Sequence, residues 1–108
     1  MTDVRPSLLL IDSEVVQDPD DEEQFTVTGR SLDGTYSIAV ELHYYETRGV
    51  RDRWAVRLTL DGLRKHGAEC VDRERFPTRQ QSAVAAAVYR LLAEGFPVAD
   101  GWHKTCAN

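Results

Sequence analysis

From Tyr36 to Tyr45 the chain alternates: Tyr36, Ile38, Val40, Leu42 and Tyr44 fall on one side, and Ser37, Ala39, Glu41, His43 and Tyr45 on the other. A period of two is that of a strand buried on one face and wet on the other, so a strand is predicted over Thr35 to Glu46. The pattern recurs from Trp54 to Leu60, with Trp54, Val56, Leu58 and Leu60 inward and Arg57 and Thr59 outward. Gln24 to Ser31 reads as a strand with Phe25, Val27 and Gly29 on one face. Ser7 to Gln17, rich in Leu, Ile and Val and lacking a 3.6-residue period, reads as another. A short fifth strand is expected over Ala68 to Arg75, burying Ala68, Cys70 and Phe76. Between these runs, Leu32-Asp33-Gly34-Thr35 carries the Asp-Gly hairpin signal and Asp61-Gly62 opens a turn. Asp18-Pro19-Asp20-Asp21-Glu22-Glu23 reads as a solvated loop, as does polar, basic Thr47 to Arg53 with its Gly49.

The period changes after Pro77. Thr78 followed by Gln81 has capping-box spacing, and Gly95 supplies a stop, which predicts a helix over residues 78–94. Its stripe is Val84, Val88, Leu91 and Leu92, and Ala83, Ala85, Ala86 and Ala87 allow a close approach to a sheet. The tail from Phe96 to Asn108 is expected to fold back over the domain edge or form a last short strand. Strands first and one helix last define an α+β layout: an antiparallel sheet of four to five strands with one C-terminal helix packed on one face. Val40, Leu42, Val56, Leu58, Val84, Val88 and Leu91 are its expected core.

The 108 residues, 42% hydrophobic and 29% charged, fit a single domain with one modest core. No apolar run approaches the roughly 18 residues that span a bilayer, and Met1 to Pro6 lacks the features of a signal peptide; the expectation is a cytoplasmic chain without a membrane partner. Cys70 and Cys106 are then expected as reduced thiols.

Candidate chemistry is sparse. His103-Lys-Thr-Cys106 has a spacing that could ligate metal, but a site needs three or four ligands and no second pair stands at such spacing. No nucleophile elbow, phosphate loop or dinucleotide fingerprint occurs. Glu41 and His43 share a strand face, yet acid–base work needs a pocket around them. The expectation is therefore a binding protein, not an enzyme, with no catalytic residues, metal or cofactor.

Charge is divided more sharply than its total of −5 suggests. Residues 1–46 hold eleven acids against two bases, and residues 47–108 seven acids against eleven bases. Seven acids fall within residues 12–23 without a base among them. A cluster of this kind repels itself in the free protein, and a cationic partner would relieve that and be steered in quickly. Arg48, Arg51, Arg53, Arg57, Arg64 and Lys65 form the opposite feature, with Trp54, Tyr44 and Tyr45 nearby. Basic and aromatic residues together can grip nucleic acid, but the acidic total argues against such a partner. The expected partner is a basic protein, bound through Asp18, Asp20, Asp21, Glu22 and Glu23, with Tyr45 and Trp102 as aromatic anchors.

The stretch from Phe76-Pro-Thr-Arg-Gln-Gln through the alanine-rich run to Gly95-Phe-Pro97-Val-Ala-Asp-Gly-Trp102 resembles the C-terminal part of Imm1-type immunity proteins of bacterial polymorphic toxin systems. There an alanine-rich helix leads to Gly, then Pro, then Trp. The strand Trp54-Ala-Val-Arg-Leu-Thr-Leu-Asp-Gly is also similar. The resemblance covers about half the chain and does not extend to residues 1–46. It implies a cytoplasmic inhibitor that binds a cognate toxin, often a nuclease or deaminase, and blocks its active site. A phage-encoded inhibitor of a host defence complex would share this size and acidity. A second similarity, to the small sheet-plus-helix arm-binding domains of phage integrases, rests on a Trp-led strand before Phe-Xaa-Thr and a helix; those domains are usually basic, and this chain is acidic.

Overall fold

The computed structural model describes residues 8–60, 62–100 and 102, with the backbone alone at 12–14. Five strands precede one helix: β1 Leu9–Asp18, β2 Asp21–Ser31, β3 Ser37–Arg48, β4 Arg51–Leu60, β5 Leu63–Asp72 and α1 Arg79–Ala93. Each strand pairs antiparallel with its chain neighbour, so the sheet order is β1-β2-β3-β4-β5. In the tail, Val98 forms a parallel bridge to Leu9, held by Leu9 N–H donating to the Pro97 carbonyl and Ala99 N–H donating to the Leu9 carbonyl. The α+β expectation holds. Counting this tail segment, the sheet is larger than expected, and it curls so that α1 touches β2, β3, β4 and β5.

The predicted faces are the observed ones in the middle strands. Phe25, Val27, Ile38, Val40, Leu42, Trp54, Val56 and Leu58 are buried beneath α1, which contributes Val84, Val88, Leu91 and four alanines. The alanines matter because small side chains let the helix backbone sit close to the pleat. Trp54 is fully buried. Its Nε1–H donates to Ser82 Oγ at 2.8 Å, which satisfies the indole donor and accounts for a serine inside the helix stripe. Phe25 and Tyr44 meet its ring edge-on, with centroids at 5.6 and 5.3 Å. The helix start is the predicted capping box: Gln81 N–H donates to Thr78 Oγ1 at 3.1 Å and Thr78 N–H to Gln81 Oε1 at 3.2 Å. Gly95, at φ +90°, ends the helix in the left-handed region that glycine enters without a Cβ penalty.

Several expectations are corrected. Residues 18–23 are not a loop: β1 continues to Asp18, Pro19 and Asp20 make the turn, and β2 begins at Asp21. Thr47 to Arg53 is likewise not a loop, since only Gly49 and Val50 separate β3 from β4. In both places the backbone ladder carries the strand past the core, where side chains need not be apolar. β5 is longer than predicted and has the opposite phase. Ala68 and Cys70 are exposed, while Gly67, Glu69 and buried Val71 face the helix. Leu92 lies outside the helix stripe and is exposed.

Candidate functional site

The register Gln24↔His43 places the β1–β2 and β3–β4 turns at the same end of the sheet. Both lie at the end where α1 begins, as the Arg79 guanidinium stacked 3.7 Å from the Tyr44 ring centre shows. Two oppositely charged hairpin tips therefore stand side by side.

The first tip gathers Asp18, Asp20, Asp21, Glu22 and Glu23. Asp18 folds its carboxylate back to accept Asp20 N–H at 2.8 Å, and Asp21 accepts Glu23 N–H at 2.9 Å; these short-range bonds shape the turn. Gln17 Nε2 donates to the Glu22 carbonyl at 2.9 Å. His43, from β3, is the basic side chain against this cluster among the described residues. Its ring nitrogens lie 3.8 Å from Asp21 Oδ2 and 3.8 Å from Glu23 Oε2, and Nδ1 is 3.4 Å from Gln24 Oε1. Two residues beyond His43 along β3 stands Tyr45, the aromatic residue predicted for the site. Tyr45 occupies the register shift between Tyr44 and Glu46, is 44% exposed and has the Arg53 guanidinium 5.3 Å from its ring centre.

The second tip is built differently. Arg53 and Arg48 both pair with Glu46, and Arg57 pairs with Glu41 farther along the open face. Asp52, buried to 6% exposure, accepts hydrogen bonds from Thr47 Oγ1 at 3.0 Å and Tyr44 Oη at 3.4 Å, and Arg73 Nε lies 3.6 Å away. Burial, and after it the Asp52 carboxylate, raise the Tyr44 pKa above the ordinary phenol value, against the opposing pull of Arg79 and Arg73. Tyr36, at the opposite end of the sheet, is raised by burial and by Asp33.

The sequence-predicted site residues thus separate. The five acids gather on the β1–β2 tip, while the Tyr45 ring carries the guanidinium of Arg53 from the second tip. Trp102 stacks on Phe76 with ring centres 5.7 Å apart and 24° between planes, and it packs against the core. Glu41 and His43 share a face but do not pair; Arg57 takes the first and the acidic tip the second. A shallow depression of about 370 Å³ on the open face is lined by Gln24, Glu41, His43, Ala55, Arg57 and His66, among others. Trp54, assigned to the basic–aromatic cluster from sequence, is fully buried and offers no ring to stack a base. Asp52 and Gly67 were missed. The first keeps the inward phase of Trp54, Val56 and Leu58; the second is a glycine inside a strand, a sign of close approach.

Among the described residues no group of three or more His, Cys, Asp or Glu could hold a metal ion. Cys70 is free and exposed. His103 and Cys106 lie outside the described residues, as do the side chains of Asp12 and Glu14. No described helix is long and apolar enough to cross a membrane. No family model matches the chain, and no characterised protein or solved structure matches it.

Proposed function

We propose that this chain is a cytoplasmic binding protein, not an enzyme, and that it neutralises a basic partner protein through the β1–β2 tip, with Tyr45 as the aromatic anchor on its flank. The observation that carries this reading is the charge imbalance between adjacent tips. Arg48, Arg53 and Arg57 are each engaged by a glutamate of β3, whereas among the described residues the acids of residues 18–23 have His43 alone beside them, at Asp21 and Glu23. Self-repulsion in such a cluster is relieved by a cationic surface, and the same field speeds encounter with it. A toxin acting on nucleic acid, whose own active site must attract phosphates, has that surface. This agrees with the resemblance of residues 54–102 to immunity proteins. A phage inhibitor of a host nucleic-acid-handling complex would use the same chemistry. A nucleic-acid ligand is less well served, because Trp54 is buried and Arg53 and Arg57 are already paired.

The test is affinity capture followed by mass spectrometry, comparing the natural chain with a variant carrying Asp20→Lys, Asp21→Lys and Glu22→Lys. The natural chain should recover a basic protein whose association slows as salt rises. The reversed variant should lose most of the recovery and of the salt dependence. Equal recovery by both overturns the assignment of the tip.

A further inference from the structure

The sheet has two edges, and they differ. β1 is broken by register shifts between Ile11 and Val15 and between Gln17 and Asp18, and the tail covers it at Leu9. Irregularity and cover are how proteins blunt an edge. β5 keeps unbroken register with β4 over ten residues, and no described strand pairs with its other side.

The orientation of the free backbone groups follows from one bond. Arg73 N–H donates to the Val50 carbonyl at 2.8 Å, which makes this a hydrogen-bonded pair and, by antiparallel alternation, directs residues 63, 65, 67, 69 and 71 toward β4. Arg64, His66, Ala68, Cys70 and Asp72 therefore aim N–H and C=O outward. Charge is divided along the strand. Arg64, Lys65 and His66 come first, Glu69 and Asp72 last, and among the described residues Arg64 and Lys65 have no ion-pair partner. Laid antiparallel on itself about Ala68, the strand sets Arg64 against Asp72 of the partner subunit on the open face, twice by symmetry. On the helix face the same register sets Gly67 against Glu69 of the partner subunit. Arg90 lies directly over Gly67, where a Cβ would meet its Nη1, and its buried Nε has no hydrogen-bond partner among the described residues.

From this we infer that two copies of the chain pair antiparallel through β5, centred on Ala68, and join their sheets into one. The occupant is a second copy because the edge complements itself: Arg64 meets an aspartate at each end of the pairing, and the Arg90 guanidinium, shared in the single chain between Glu69 at 3.9 Å and Glu94 at 3.5 Å, meets a further carboxylate across the axis.

Sedimentation velocity over a dilution series tests this. The natural chain should move from the 12.2 kDa species to one of twice that mass as concentration rises. Ala68→Pro removes an outward N–H and leaves the β4 ladder intact, which an edge strand tolerates, so this variant should stay monomeric with an unchanged circular dichroism spectrum. Asp72→Arg should raise the dimer Kd about tenfold or more, the scale of ~1.4 kcal/mol, and adding Arg64→Asp should restore it. A natural chain that sediments at 12.2 kDa throughout overturns the proposal, as does a folded Ala68→Pro variant that still dimerises. Should the proline variant fail to fold, an Asp72→Arg variant that dimerises as tightly as the natural chain overturns it equally.

Discussion

The two hairpin tips at one end of the sheet are alike in backbone and opposite in construction. Both are two-residue turns closing strands that run past the core. At the β3–β4 tip, each cation but Arg51 has a fixed acidic neighbour, and a buried Asp52 ties Thr47, Tyr44 and Arg73 together. At the β1–β2 tip the carboxylates accept mainly from their own turn. The first arrangement uses its charges for architecture. The second leaves Asp18, Asp20 and Glu22 without a cation within ion-pair distance among the described residues. Charge density alone does not separate the two tips; what separates them is whether each charge has a partner of opposite sign.

Substitutions test this contrast, beginning with the core on which both tips rest. Val88→Asp buries an unpaired carboxylate under the sheet and should cost several kcal/mol, enough to abolish cooperative melting; a variant that melts like the natural chain would mean that α1 packs elsewhere. Asp52→Ala should come next, at about 2–3 kcal/mol in urea unfolding, because it leaves two hydroxyls and Arg73 without their acceptor. Tyr44→Phe acts through pH. The folded-state pKa of Tyr44 is raised, so the phenol's contribution is complete below the ordinary value near 10 and is lost as pH rises through the folded-state value. Chemical denaturation at alkaline pH should show the natural chain losing stability there, and Tyr44→Phe losing less. The smallest effect on stability belongs to the acidic tip. Reversing Asp20, Asp21 and Glu22 to Lys should change stability by less than about 0.5 kcal/mol, since exposed charges contribute little. A large loss there would make this tip as structural as its neighbour.

Much of the fold was legible in residue order because the core obeys period two. Tyr36 to Tyr44 and Trp54 to Leu60 read correctly from alternation, and Thr78 with Gln81 announced the helix. Both tips read as loops in the sequence because hydrophobic patterning stops where burial stops, while backbone pairing does not. β5 has the opposite phase for a related reason: of its helix-facing positions Lys65, Gly67, Glu69 and Val71 only the last is apolar, and Gly67 and Glu69 lie instead against Arg90. For the candidate site, the acidic cluster was visible as composition, but its isolation from the arginines depends on Glu41 and Glu46 capturing them. That pairing is set by β3–β4 register. Trp102 could be an anchor or a packing residue by type alone; its stack on Phe76 favours packing.

The connectivity of the sheet also has a kinetic consequence. Every strand pairs with its chain neighbour, so most of the sheet assembles by closing short loops, a microsecond-scale event for a single hairpin. The bridge between Leu9 and Val98 is the exception. It joins segments near opposite ends of the chain and carries the largest closure entropy. It should therefore form last, after the hairpins and helix are in place. A contact absent from the transition state governs escape from the native state and not entry to it. Weakening the tail should leave the refolding rate nearly unchanged and hasten unfolding, making residues 97–99 a latch on the lifetime of the folded chain.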